Sequence, residues 1–417
     1  MKLRLTLVLL LGQFASQALP AQTARTDHWV ATWGTAQLLV RPQPPATPPA
    51  AAPAQQTPGA RGFNNQTVRM VLRSSIGGRR LRIKVANAFG SAPVAIGAAH
   101  IALRAQDSGI VPGSDRALTF NGKPGCTLSP GVVRLSDPVD LNLPPLTDMA
   151  VSLFFPGETG PPTTHATGLH TAYISQEGDF TGQPAIADAA TTLSYYWLAG
   201  VDVLAPADAA LLVTFGDSIT DGTASTPNGN HNWPSLLASR LAKNKKTAMV
   251  GVANMGIGGN RVLYDGTGAS ALARFDRDVL SQSGVKWVML LEGINDIGRV
   301  GTPTPEAPTA DDLIAAYRQI VERAHTHGIK VIGCTLTPYE GAGYSREPGE
   351  AIREAVNTFI RTGGAFDAVV DFEATTRDPA NPKRFRAAFD PGDHLHPNDA
   401  GYQAMADAVD LSIFTRK

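Results

Sequence analysis

Cysteine is nearly absent: Cys126 and Cys334 are the only two in 417 residues, and they lie far apart in the chain. That excludes a disulfide-dense scaffold and a four-cysteine zinc site. Cys334 closes the apolar run Val331-Ile332-Gly333-Cys334 and reads as a buried, inert thiol, which weighs against a bridge between the two even though export would permit one. Net charge is absent as well. Lys plus Arg equals Asp plus Glu, 36 each, and no basic run tracks phosphates, so nucleic acid is not an expected partner. Beyond the N-terminus no stretch offers about twenty consecutive apolar residues, so no membrane-spanning segment is expected in the mature chain. The zinc-hydrolase signature His-Glu-x-x-His is missing. So is Gly-x-Ser-x-Gly, because Thr220 stands where its second glycine would be in Gly216-Asp217-Ser218-Ile219-Thr220.

What is present suffices for two ordinary domains, with 43% hydrophobic and 17% charged residues. Lys2 and Arg4, an apolar run over 5–11, and small residues at Ser16 and Ala18 have the layout of a cleavable secretory signal. Residues 1–21 are therefore expected to be removed and the protein to be secreted or periplasmic. Over 22–204 the pattern is that of strands. Val68, Met70 and Leu72 alternate with polar neighbours, and Leu81, Ile83 and Val85 alternate with Arg82 and Lys84, which predicts one buried and one wet face in each run. The intervening Ile76-Gly77-Gly78-Arg79 fits a β-hairpin turn. Further short runs at 94–96, 132–135 and 149–155 make an all-β sandwich, jelly rolls included, the simplest assembly. A Pro/Ala-rich stretch at 41–60 cannot supply a core and reads as a loop.

From 205 to 417 apolar strands alternate with helical patterns, the sign of βαβ units and a parallel sheet. Strands are expected at 211–215, 248–252, 287–291, 331–335 and 368–370. Helices are expected at 233–241, 269–280, 311–325, 350–360 and 398–411. In open α/β sheets the ligand crevice lies at the carboxyl ends of the strands, so the loops that follow them are where chemistry is sought.

Four of those loops carry candidate residues. Gly216-Asp217-Ser218-Ile219-Thr220-Asp221-Gly222 places a serine hydroxyl at a strand-to-helix turn, although such residues are also ordinary turn formers. Asp393-His394-Leu395-His396-Pro397 sets a carboxylate three residues before an imidazole. A hydroxyl needs a neighbouring imidazole to take its proton, and the imidazole needs a carboxylate to fix its tautomer. Asn254-Met255-Gly256-Ile257-Gly258-Gly259-Asn260 and Glu292-Gly293-Ile294-Asn295-Asp296 bring backbone and side-chain amides to the same edge, where a tetrahedral oxyanion would need donors.

Together, and in this order, the four segments resemble the blocks of the SGNH hydrolases, the GDSL esterase/lipase superfamily, over residues 211 to about 411. The resemblance implies a three-layer α/β/α sandwich around a five-stranded parallel sheet, flavodoxin-like, here preceded by the all-β sandwich. It implies Ser218 as nucleophile, with Asp393 and His396 completing a triad in which His394 has no part. For the oxyanion hole it implies the backbone N–H of Ser218, that of Gly259 in preference to Gly256 or Gly258, and the side chain of Asn295. Ile219 replaces the leucine of the family's nickname, a swap of similar size. No cofactor or metal is implied, and the expected substrate is a small-molecule or polysaccharide ester: short-chain acyl, lipid or acetylated carbohydrate. Two other readings stay open, acyl transfer by the same triad and a carbohydrate-binding protein with a vestigial hydrolase domain. Gly266-x-Gly268-x-x-Ala271 does not directly follow a strand and is weak support for a dinucleotide site. Trp233, Tyr264, Tyr339 and Tyr344 are candidates for lining a pocket, and equally for core or surface. Oligomeric state is not legible.

Overall fold

The computed structural model describes residues 28–39 and 58–415. The expected signal segment lies outside the described residues, as does most of the expected loop at 41–60, of which 58–60 form part of a turn.

The β-rich half is built from two larger antiparallel sheets and two two-stranded ones, Thr164–His165 with Tyr195–Tyr196 and Val94–Ile96 with Cys126–Leu128. One larger sheet runs Trp29–Gly34, Leu198–Leu204, Gly78–Ala86, Val133–Leu135, with Val139–Leu143 also paired to Gly78–Ala86; the other runs Ala190–Thr192, Ala172–Glu177, Gln66–Arg73, Asp148–Phe155, Ala98–Leu103, Arg116–Leu118. The two strands expected to form a hairpin thus belong to different sheets. Gly77 and Gly78 both lack the positive φ that a tight hairpin turn requires. Instead Ser74 Oγ donates to Pro144 O, Ser75 Oγ donates to Thr32 O at 2.6 Å, and Thr32 Oγ1 donates to Ile76 O at 2.6 Å, so side-chain hydrogen bonds lead the chain across from one sheet to the other.

The wet face expected for Gln66–Arg73 is also corrected: Thr67, Arg69 and Val71 are as buried as Val68, Met70 and Leu72. Loops cover that face. The Arg69 guanidinium donates to Ser152 Oγ, Ser108 O, Thr181 O and Gln183 O at 2.6–3.1 Å, satisfying a charge that burial would otherwise penalise. In Gly78–Ala86 Leu81, Ile83 and Val85 are buried as expected, whereas Arg82 and Lys84, expected on the wet face, are half-buried: Arg82 pairs with Asp202, and Lys84 Nζ donates to Gln282 Oε1 at 3.1 Å.

The second half is a three-layer α/β/α arrangement around a parallel sheet in the order Val250–Gly256, Ala210–Gly216, Val285–Leu291, Lys330–Cys334, Ala368–Val370. Helix Trp233–Lys243 packs on Asp399–Asp407, and Ala310–Thr326 packs on Glu347–Thr362. Two boundaries differ from expectation. The second strand starts at Val250, because a turn from Asn244 to Val250 pinned by Thr247 Oγ1 on Leu241 O occupies the preceding residues, and it extends to Gly256. The last helix stops at Asp407, where the Arg240 guanidinium takes the carbonyls of Ala406 and Val409, and Leu411–Thr415 follows as a separate turn.

The β-rich half lies along the outer edge of Val250–Gly256. Val252 N–H donates to Ser75 Oγ at 2.9 Å, Ala31 N–H donates to Ser283 O at 3.0 Å, and apolar residues of both halves form one continuous core cluster. An unpaired strand edge is thereby covered. Cys126 and Cys334 are both free, and burial pushes the Cys334 thiol pKa up, as for an inert core residue.

Candidate active site

Strand Ala210–Gly216 is buried throughout and ends where a side chain would not fit: a Cβ on Gly216 would sit 2.1 Å from Leu291 O. Asp217 then caps a single helical turn, accepting the Ile219 N–H at 3.0 Å, and Ser218 opens that turn. Ser218 Oγ lies 2.8 Å from His396 Nε2, and His396 Nδ1 lies 2.7 Å from Asp393 Oδ2. A carboxylate only accepts, so Nδ1 carries the hydrogen and Nε2 presents its lone pair to the serine hydroxyl. Burial raises the Asp393 pKa, but the N–H groups of His396 and Leu395, each 3.0 Å from Oδ1, and the His396 ring hold it below its ordinary value. His394 faces elsewhere. It adopts φ 60° and pairs through Nδ1 with Asp390 Oδ2 at 2.5 Å.

The glycines of the second block are separated by their hydrogen bonds. Gly256 N–H donates to Asn254 Oδ1 and Gly258 N–H to Asp221 Oδ2, whereas Gly259, held at φ 73°, has no acceptor for its N–H among the described residues. Ser218 N–H has none either. Asn295 donates one amide hydrogen to Asn260 O at 2.9 Å and accepts from Tyr344 OH at 3.3 Å, which fixes the orientation of the amide and leaves its second hydrogen over. Of the four candidate aromatics only Tyr344 touches a site residue. Trp233 packs in the core on Phe372, Tyr339 is fully buried, and Tyr264 is exposed beneath Arg261.

Sequence reasoning missed what lies behind these groups. Arg274 is fully buried and donates to Asn260 Oδ1, Met255 O, Gly216 O, Asp278 Oδ2 and Glu292 Oε2 at 2.7–3.3 Å, tying the ends of two parallel strands to the third block. Around it stand three buried carboxyls. Burial, reinforced by Asp296, pushes Asp217 up to about 7; burial pushes Asp296 up to about 6 despite the N–H groups of Val262 and Leu263; and burial with the Asp217 charge raises Glu292 well above its ordinary value. Asp217 Oδ2 and Glu292 Oε1 have no hydrogen-bond partner among the described residues. The carboxyls of this cluster stand in the first and third blocks, but nothing local in the sequence joins them to Arg274. Among the described residues no three His, Cys, Asp or Glu side chains are grouped to hold a metal ion, and no helix is long and apolar enough to cross a membrane.

Residues 212–409 match the family described as GDSL-like lipase/acylhydrolase. No curated protein matches the chain. Similar solved structures include a lipolytic protein of the G-D-S-L family from Desulfitobacterium hafniense DCB-2, 22% identical over 48% of this chain and 97% of its own, TM-score 0.37. The acetylxylan esterase Axe2 from Geobacillus stearothermophilus is 23% identical over 50% and 95%, TM-score 0.39. The acetyl xylan esterase AlAXEase is 25% identical over 48% and 96%, TM-score 0.37. Residues 212–409, just under half of the chain, are therefore similar to the GDSL-like lipase/acylhydrolase family, a likeness that supports a carboxylic ester hydrolase.

Proposed function

We propose that the protein is a secreted serine esterase in which Ser218 is the nucleophile, His396 the proton carrier and Asp393 its orienting carboxylate. The observation that carries this reading is the hydrogen-bond chain from Asp393 through His396 to Ser218, at 2.7 and 2.8 Å, beside two backbone N–H groups that lack acceptors among the described residues. His396 Nε2 takes the Ser218 proton as Oγ bonds to the ester carbonyl carbon. The carbonyl oxygen becomes an oxyanion, held by the N–H groups of Ser218 and Gly259 and by the free amide hydrogen of Asn295. Collapse breaks the bond to the alcohol, which leaves with the proton from His396. Water then gives a proton to His396, attacks the acyl-serine, and the second collapse returns the proton to Ser218 Oγ and frees the acid.

Substrates on this reading are carboxylic esters of small molecules or polysaccharides, with short-chain acyl, lipid and acetylated-carbohydrate esters ordered by a panel varying acyl length and leaving group. Ser218→Ala is expected to lower kcat for an aryl acetate by about four orders of magnitude with its melting transition intact. A near-normal rate in that variant would overturn the assignment. A protonated imidazole has no lone pair for the serine proton, so kcat/KM is expected to fall on acidification; a profile flat down to about pH 4 contradicts a histidine base. Export rests on residues 1–21: recovery of the full-length chain outside the cytoplasm with a new N-terminus near residue 22 is the expected result, and retention inside with residue 1 intact is the contrary one.

A further inference from the structure

A buried side chain of the β-rich half reaches the carboxylate at the end of the catalytic turn. His165, on the short strand Thr164–His165, and Asp221, on the turn that Ser218 opens, are both almost fully buried, and His165 Nε2 lies 2.9 Å from Asp221 Oδ1. His165 Nδ1 lies 2.7 Å from Ala36 O, an atom that only accepts, so Nδ1 carries a hydrogen. With Nδ1–H fixed, a neutral ring would turn a lone pair toward the carboxylate; the pair is satisfied when the ring is an imidazolium donating on both sides. Burial alone would lower the His165 pKa, but the charge and hydrogen bond of Asp221 and the Ala36 carbonyl together raise it.

The other oxygen of Asp221 accepts the Gly258 N–H at 3.2 Å. Asn254 Nδ2 clasps the carbonyls of Thr220 and Asp221, and Gly256 presses so close on Asp221 N that a Cβ there would stand at 2.2 Å. The segment that supplies Ala36 O makes a second tie, Leu39 N–H to Thr267 O at 3.1 Å, and Thr267 Oγ1 lies beside Gly259. The Gly258–Gly259 loop is thus approached from two sides by ties that originate before residue 205.

We propose that His165 is a positioning residue of the esterase site, holding Asp221 and through it the Gly258–Gly259 loop, so that the β-rich half belongs to the oxyanion-binding apparatus. The proposal rests on the hydrolytic reading above for its catalytic consequence, but not for the mechanical one. A misplaced oxyanion donor affects the tetrahedral state more than substrate binding.

The test compares wild type with His165→Ala and with His165→Ala/Asp221→Asn, which removes the carboxylate left without its cation while keeping an oxygen for Gly258 N–H. Two readouts are taken: kcat and KM on an aryl acetate, and amide hydrogen exchange in the peptide spanning residues 254–262. Expected are a loss in kcat of roughly ten- to a hundredfold with KM within about twofold, exchange faster by about tenfold or more, and partial recovery of both in the double variant. Should His165→Ala not fold, His165→Gln, which keeps a donor toward Asp221, is measured in the same way and expected to show a smaller loss. Unchanged kcat together with unchanged exchange in a folded variant overturns the proposal, as does a change in KM alone. An inactive wild-type chain counts against the hydrolytic reading, while exchange still decides whether His165 holds the loop.

Discussion

Ser218 and Asp217 are chain neighbours with opposite relations to water: one offers its hydroxyl to the site, the other is sealed behind it. With its carboxyl pushed up to about 7 by burial, Asp217 in the folded chain keeps a proton that the unfolded chain releases near pH 4. Between those values the folded state binds more protons, so Asp217 makes stability fall as pH rises through this window, and Glu292 acts in the same direction. Asp217→Asn keeps an oxygen for the Ile219 N–H and removes the titration. Urea midpoints at pH 5 and pH 8 are expected to differ less in this variant than in wild type, by on the order of 1–4 kcal/mol once converted to free energy. Equal differences in the two proteins would refute the assignment. At Asp393 the consequence is catalytic: Asp393→Asn presents an amide to Nδ1, favours the wrong tautomer, and should lower kcat by about 10⁴-fold without unfolding the chain. A loss below about tenfold would show that the carboxylate does not orient the ring.

The elements that carry the site are strand ends, and Arg274 joins them. It sits where the helix Ala271–Phe275 widens into the π-type turn Asp276–Leu280, a turn that also brings Asp278 onto its guanidinium. Arg274→Met would leave Glu292 without its cation in the interior and Asp278 with Arg277 alone, at a cost of about 3–5 kcal/mol read from urea unfolding; a change under about 1 kcal/mol would show the cluster to be a bystander. Such elements were unevenly legible beforehand. Apolar runs such as 287–291 and 368–370 stand out because both faces of a parallel sheet are covered, and Asp393 and His396 stand out because their contact is local. Gln66–Arg73 misleads for the opposite reason: its polar residues look wet until loops far along the chain bury them and take up the Arg69 hydrogen bonds. Arg274, Asp221 and His165 acquire meaning from contacts such as Arg274 with Glu292 and Gly216 and His165 with Asp221, 18 to 58 residues apart, which no local period encodes.

At the scale of the molecule, the β-rich half and the parallel sheet share one core, and the strand edge at Val250–Gly256 is covered by residues from before position 87. Removing residues up to 204 would expose that edge, Met255 where Gly34 packs on it, and the buried Asp221 carboxylate. Residues 205–417 expressed alone are therefore expected to aggregate or to melt well below the full chain by differential scanning calorimetry; a monomeric fragment of equal stability would show the covering to be dispensable. The claim on which all of this turns is that one serine does the chemistry. The direct measurement is to inactivate the full chain with a fluorophosphonate and map the adduct by peptide mass spectrometry. The account predicts a single adduct on Ser218 whose extent tracks the lost hydrolysis. Full activity in a chain whose Ser218 is wholly modified, or inactivation with the adduct elsewhere, would contradict it.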